Sequence, residues 1–440
     1  MRHAWTLLLS LILCAGCHKQ SVSLDQGWTT PTVVTSSIDS LASGTDLHKT
    51  LSKAIALQWQ DTSEKSFILA RNEGGGNSWK EVSSQGIPQG YSIPPTVDQS
   101  GGRIVFPKDH TASNQMTISI LFARLNENGA IQIETERKWM KDKQSFFGAT
   151  GTNVSLNMAG FGTGSMNDGE IYLPYCLYGT TLTLDGRVDG PFNSGVFHSS
   201  DSGATWQVEQ VESNFELLGP MVCKTEGYYY YFAIKYPVYE LWFSRKSTGS
   251  GSWDAPMLAT KTFAKELGNY IAATDGDTVH VCWMDRRHNK WRFDLSGPAI
   301  ENDDIYYSHR KDSDSGWRKD VNLSKGVLYC YAPSISAEGN NVVVAWAGIQ
   351  NAGKYHTDYD PNDIYYVTSK DGGNTWSKPL KVPDGAKDGM TAGHPQVMLL
   401  NGVIHLFYIQ GKMDLQQVGG LTKLNQPPWP IYYTQRPFPN

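Results

Sequence analysis

Two stretches of this chain share one spacing: Ser199-Ser200-Asp201-Ser202-Gly203-Ala204-Thr205-Trp206 and Ser369-Lys370-Asp371-Gly372-Gly373-Asn374-Thr375-Trp376. Each follows a run of apolar and aromatic residues, such as Ile364 to Val367 before the second. The Ser and Asp side chains can bond the turn backbone, Gly supplies positive φ, and the Trp folds back as an apolar lid. Such a turn joins two antiparallel strands. Its recurrence makes the chain a series of like units and overrides the multidomain prior that 440 residues would otherwise set.

The rest of the sequence repeats the same order of strand, Gly turn, apolar strand, long loop, aromatic strand, polar turn and Trp. The first copy carries Ala54 to Trp59 and Phe67 to Arg71 and ends at Trp79. The second carries Arg103 to Phe106 and Ile118 to Arg124 and ends at Trp139. The third carries Glu170 to Tyr175 and ends at Trp206, and the fourth has Tyr228 to Tyr231 and Leu241 to Ser244, ending at Trp253. Thr278 to Trp283 and Ile305 to Ser308 lead to Trp317, and Val342 to Trp346 leads to Trp376. A seventh copy opens at His394-Pro395-Gln396-Val397, carries Val403 to Tyr408 and stops after Ile431-Tyr432-Tyr433, without an outer strand. Pro31-Thr32-Val33-Val34-Thr35 can supply that strand and leave no open edge.

The chain start reads as a targeting segment: Arg2 and His3, the apolar run Trp5 to Leu13, then Cys14-Ala15-Gly16-Cys17. This resembles a bacterial lipoprotein signal over residues 1–17, with Cys17 lipidated. The other reading is an ordinary signal peptide. Both make the protein exported, either secreted or held by lipid at the outer membrane or cell surface. Residues 18–44 form a lead-in and residues 45–440 one repeat domain. Cys176, Cys223, Cys282 and Cys330 lack zinc-site spacing; they can be buried thiols or pair as Cys176–Cys223 and Cys282–Cys330. A net charge of -5 without a Lys/Arg run excludes general nucleic-acid binding.

The two full turns resemble the Asp-box of sialidase-type β-propellers. That resemblance implies an all-β propeller of four-stranded antiparallel blades: seven if every copy is a blade, six if the weak first copy is not. The boxes then lie on the outer rim as structural turns, and chemistry belongs at the mouth where the inner strands converge. The sialidase active centre is not matched. Tyr91-Ser92-Ile93-Pro94 has Ser where that family places a carboxylate-clamping Arg, and a neutral hydroxyl cannot make the bidentate pair. An arginine position reads Lys235, and His394 stands where a catalytic Tyr is expected.

The mouth set is instead His110, Tyr175, Arg187, Lys235, Asp285-Arg286-Arg287 and His394. A His, a Tyr and arginines suit β-elimination of a uronate polymer: a base takes the C5 proton, an acid protonates the leaving oxygen, and Arg neutralises the carboxylate. The arrangement resembles the seven-bladed lyases that cleave ulvan. Carried over by position, His110 and Tyr175 become the catalytic pair and Arg187 the residue that neutralises the carboxylate; Lys235, Arg286, Arg287 and His394 join Arg187 as the substrate-binding residues of the mouth. Other readings are a glycosidase, for which Asp109 and Asp285 are the carboxylates, and a non-catalytic glycan-binding lipoprotein. The expected partner is an anionic polysaccharide. No cofactor is required, and Asp358, Asp360 and Asp363 offer either a structural calcium loop or a solvated polar one.

Overall fold

The apolar runs become strands, and among the described residues every regular element in the computed structural model is β. The structure describes residues 23–24, 27–33, 42–49, 54–60, 67–72, 79–84, 96–98, 103–112, 115–125, 131–142, 154–183, 186–249, 251–260, 269–287, 303–349, 362–383, 390–412, 414–418, 421–425 and 430–439. The signal region with Cys17, and Asp358 and Asp360, lie outside the described residues.

Two short strands come first, β1 (Ser23–Leu24) and β2 (Thr32–Val33). The first sheet is β3 (Ala42–Lys49), β4 (Ala54–Gln60), β5 (Phe67–Asn72) and β6 (Trp79–Ser84). The second is β7 (Thr96–Val97), β8 (Arg103–Ala112), β9 (Gln115–Leu125) and β10 (Ile131–Asp142). The third has β11 (Val154–Phe161), β12 (Ser165–Asn167), β13 (Glu170–Thr183), β14 (Gly186–Ser199) and β15 (Gln207–Glu212). The fourth is β16 (Leu217–Lys224), β17 (Tyr228–Lys235), β18 (Glu240–Ser247) and β19 (Met257–Leu258). The fifth is β20 (Tyr270–Asp275), β21 (Thr278–Asp285), β22 (Asp304–Lys311) and β23 (Val321–Asn322).

In the sixth sheet, β24 (Leu328–Glu338), β25 (Asn341–Ile349), β26 (Asp363–Ser369) and β27 (Leu380–Lys381) are joined by β1, parallel to β27. The seventh takes β28 (Thr391–Leu400) and β29 (Val403–Gly411), bypasses a hairpin of β30 (Asp414–Val418) and β31 (Leu421–Asn425), and continues with β32 (Ile431–Pro437). Its outer strand is β2, antiparallel to β32 with Thr32 opposite Tyr433 and Val33 opposite Tyr432.

These sheets stand as the blades of a β-propeller. The sheets pack in succession: β11 and β12 of the third sheet on β8 and β7 of the second, then, innermost strand on innermost strand, β16 on β11, β20 on β16, β24 on β20, β28 on β24, and β3 on β28. The apolar cores lie between successive sheets, so central strands are covered on both faces. One core joins Phe122 of the second sheet with Phe197 of the third. Another joins Phe243 with Trp283, and the next joins Tyr307 with Trp346.

Trp206, Trp253, Trp317 and Trp376 occupy one repeated place between the third and fourth strands, each against the core shared with the preceding sheet. Trp79 opens β6, close to that place. Trp139 does not: it lies well inside β10, opposite Ile118, because the second sheet lacks the box turn and continues as a long hairpin. The four cysteines Cys176, Cys223, Cys282 and Cys330 are free thiols. Burial raises all four above their usual range, to about 12 for Cys176 and Cys223.

Candidate functional site

Antiparallel order decides which side chains can meet. In each sheet the first strand starts, the second ends and the third starts at one end of the propeller; the boxes lie at the other. The boxes are closed by their own atoms. Asp371 Oδ1 accepts from Thr375 N at 2.8 Å and from Ser369 Oγ at 2.8 Å, and Trp376 Nε1 donates to Gly373 O at 3.1 Å. The Asp201 turn repeats this geometry, with Thr205 N donating to Oδ1 at 2.7 Å.

The mouth end gathers six of the seven proposed side chains' positions. His110 lies near the end of β8, opposite Thr117, and Arg187 lies near the start of β14, opposite Leu182. The side chains of both lie outside the described residues. Lys235 ends β17, Arg286 and Arg287 follow β21, and His394 lies in the first half of β28.

Tyr175 is the exception. Its ring is fully buried beside Phe161 and Phe197, and its hydroxyl donates to Asn193 Oδ1 at 2.7 Å. Burial pushes its pKa well up. Strand alternation would send it to one face of β13, but both faces of β13 are covered and Ile171 through Leu177 are all buried. A buried hydroxyl has no access to a glycosidic oxygen, so in this structure Tyr175 is a core residue.

The two arginines after β21 are in ion pairs. Asp285 has no exposed surface; it accepts from Trp283 Nε1 at 2.9 Å and from Arg287 Nε at 2.9 Å. Arg287 also reaches Asp320 at 3.3 Å and lies 4.0 Å above the Tyr306 ring. Arg286 Nε meets Asp303 at 3.0 Å and keeps 30% of its side chain exposed. Asp285 is therefore committed to holding Arg287 and is no free glycosidase carboxylate. Asp363 pairs with Lys381 at 2.7 Å, and among the described residues no group of three His, Cys, Asp or Glu could hold a metal.

The inner strands carry a feature that composition does not announce. Register shifts interrupt β16 between Leu218 and Met221, β24 on both sides of Tyr331, and β28 between Gly393 and Gln396. At those shifts Gly219, Ala332 and His394 are left-handed, with φ of 57°, 50° and 47°, and each precedes a proline. A bulge leaves a backbone donor without a ladder partner, and proline has none to leave.

In β28 the bulge presents an exposed His394, its ring 6.0 Å from Tyr331 of the neighbouring inner strand and nearly perpendicular to it. Tyr331 Oη accepts from Asn362 Nδ2 at 3.3 Å, and Asn362 N donates to Thr391 Oγ1 at 2.9 Å. Burial pushes Tyr331 up to about 12, and desolvation lowers His394 below the ordinary imidazole value. Tyr331 is absent from the mouth set read in the sequence. The signal that could have found it is the shared pattern of Tyr331-Ala332-Pro333 and Gly393-His394-Pro395 in the first halves of two inner strands.

No family model matches the chain, and no curated protein matches its sequence. Among solved structures, it is similar to Trypanosoma rangeli sialidase in complex with sialic acid, at 10% identity and a TM-score of 0.45, over 94% of this chain and 59% of that one. The intramolecular trans-sialidase from Ruminococcus gnavus matches at 12% identity and a TM-score of 0.42, over 91% and 95% of the two chains. The catalytic domain of the Coprinopsis cinerea GH62 α-L-arabinofuranosidase gives 12% identity and 0.30, over 64% and 92%. The chain thus spans less than two thirds of the trypanosomal sialidase's length. At such scores the fold rests on the strand topology itself.

Proposed function

We propose that this exported propeller is carbohydrate-active, and that it takes an anionic polysaccharide into its mouth and cleaves it beside a uronate by β-elimination. The observation that supports this most is the His394–Tyr331 pair, two rings brought together from the inner strands of adjacent sheets. Neutral His394 removes the C5 proton, and the C5–H electrons form the C4–C5 double bond. The C4–O bond breaks, and its oxygen takes the proton of Tyr331. The directions of both pKa values suit these roles, since the imidazole is free base and the phenol retains its proton near neutrality. An arginine at the mouth, Arg286 or Arg187, neutralises the carboxylate and makes the C5 proton more acidic. His110 is the second base position in the same reading.

The test is to incubate purified protein with ulvan and with other uronate polymers, following ultraviolet absorbance of the unsaturated product and new reducing ends. Both signals should rise together. His394→Ala and Tyr331→Phe should each lower the rate by roughly two orders of magnitude, whereas Tyr175→Phe should leave the rate of folded protein near wild type. A full rate in His394→Ala with a dead His110→Ala would return the base to His110. Reducing ends without absorbance would make the protein a hydrolase, and binding without either signal a glycan-binding protein.

A further inference from the structure

Six large hydrophobic side chains are exposed among the described residues, and three of them sit in one turn. Tyr236 is 40% exposed, Val238 48% and Tyr239 37%, all between β17 and β18 at the mouth end of the fourth sheet. The turn is tied down: Tyr236 N donates to Glu216 O at 3.0 Å and Tyr239 N to Lys235 O at 2.7 Å. The two tyrosine rings stand 5.7 Å apart at 82°. Behind them, the Lys235 ammonium lies 4.1 Å from the Phe215 ring and 4.6 Å from the Trp242 ring. Glu240 is opposite Lys235 in the register, but its carboxylate accepts from Trp242 Nε1 at 3.1 Å. Among the described residues no carboxylate lies within ion-pair distance of the Lys235 ammonium.

We propose that this turn is a saccharide subsite in which Tyr236 and Tyr239 stack on the C–H faces of a sugar chain and Lys235 receives its carboxylate or sulfate. Tyrosine offers a large amphipathic surface with few rotamers to lose on binding, and here the turn's hydrogen bonds have already ordered the backbone. A cation held over two aromatic rings is oriented and partly dried, so an incoming anion forms a stronger charge-assisted bond than it would with a solvated lysine. The ligand class is an anionic polysaccharide, and the subsite extends the mouth outward along blade four. This rests on the reading of the mouth as an anionic-polysaccharide site, but not on the chemistry of cleavage.

The experiment is affinity electrophoresis of the full folded protein in gels containing ulvan or uncharged dextran, with initial rates on ulvan measured alongside. The Tyr236→Ala/Tyr239→Ala variant should bind ulvan about tenfold more weakly, as expected for losing two ring contacts. Lys235→Gln should lose the preference for ulvan over dextran. Because these rings are exposed, melting temperatures should stay near wild type; Tyr236→Ala alone serves if the double variant melts early. Wild-type protein that binds ulvan through this turn yet cleaves nothing supports the subsite while ending the lyase reading. Cleavage by wild type with unchanged binding and KM in all the variants overturns the subsite and leaves the lyase reading standing. Neither retardation nor cleavage on any uronate polymer overturns both.

Discussion

His198 shows how much a single ring can organise. Its Nε2 is 2.6 Å from Glu170 and its Nδ1 is 2.8 Å from Glu209, while Tyr172 stacks on it at 4.2 Å. Glu209 also accepts from Lys246 Nζ at 2.6 Å and from Trp253 Nε1 at 2.9 Å. Burial works against the imidazolium, but the hydrogen bonds and charges of Glu209 and Glu170 outweigh it and raise the His198 pKa above its ordinary value. A raised folded pKa contributes stability fully below the unfolded value, near 6.5, and loses it as pH rises through the folded pKa. The melting temperature of wild type should therefore exceed that of His198→Gln most at mildly acidic pH, and the gap should narrow as the buffer is taken above neutrality. A gap that widens with pH would show that the ring is held neutral. The sequence did not reveal this cluster as a unit. Glu170, His198, Glu209 and Lys246 come from four strands of two sheets, and no spacing along the chain brings them together.

The box turn is the element that the sequence displays most openly, because the bonds of its Ser369, Asp371 and Trp376 side chains run between residues four or fewer positions apart. What the motif does not disclose is its partner. A side chain at Gly373 would place its Cβ 1.8 Å from Tyr307 Oη, and one at Gly203 would lie 2.2 Å from the Phe122 ring. In both cases an aromatic residue of the preceding sheet's third strand presses on the box of the next, so the turn also locks blade to blade. Gly372 is left-handed too, with φ of 68°, but only Asn340 Oδ1 comes near, at 4.0 Å. Gly373→Ala should thus suffer both strain and overpacking, about 2–4 kcal/mol, and Gly372→Ala strain alone, about 1 kcal/mol. Thermal melts should separate the two by roughly 2–3 °C in a chain of this size; equal shifts would mean that Tyr307 moves aside freely. The same limit applies at the mouth. Strand ends located His394 and Lys235, whereas the burial of Tyr175 and the nearness of Tyr331 depend on how neighbouring sheets cover one another.

Across the whole molecule, the ring is fastened by segments from far apart in the chain. Besides the β2–β32 pairing, Thr29 N donates to Gln435 O at 2.9 Å, Thr434 Oγ1 donates to Thr29 O at 2.6 Å, and Gln435 N donates to Thr29 Oγ1 at 3.1 Å. Trp28 packs edge-on against Tyr366 at 5.2 Å, and Arg436 Nη1 donates to the Tyr366 hydroxyl at 2.6 Å. Upstream, β1 runs parallel to β27, so one short stretch touches both the sixth and the seventh sheets. The absence of an outer strand in the last repeat is what made a borrowed strand readable in the sequence; the tie to the sixth sheet was not readable, since two residues in parallel pairing leave no pattern. Removing residues 1–34, compared with removing 1–20, deletes these contacts and uncovers β32. The loss of a half-buried Trp and several hydrogen bonds comes to about 4–6 kcal/mol, or roughly 5 °C in melting temperature. An uncovered β32 edge is also a template for pairing with a second copy, so the shorter form should run as dimers or larger species on size exclusion while the longer form stays monodisperse. If both forms melt together and elute alike, the closing segment carries no load and the ring is held by its inner strands alone.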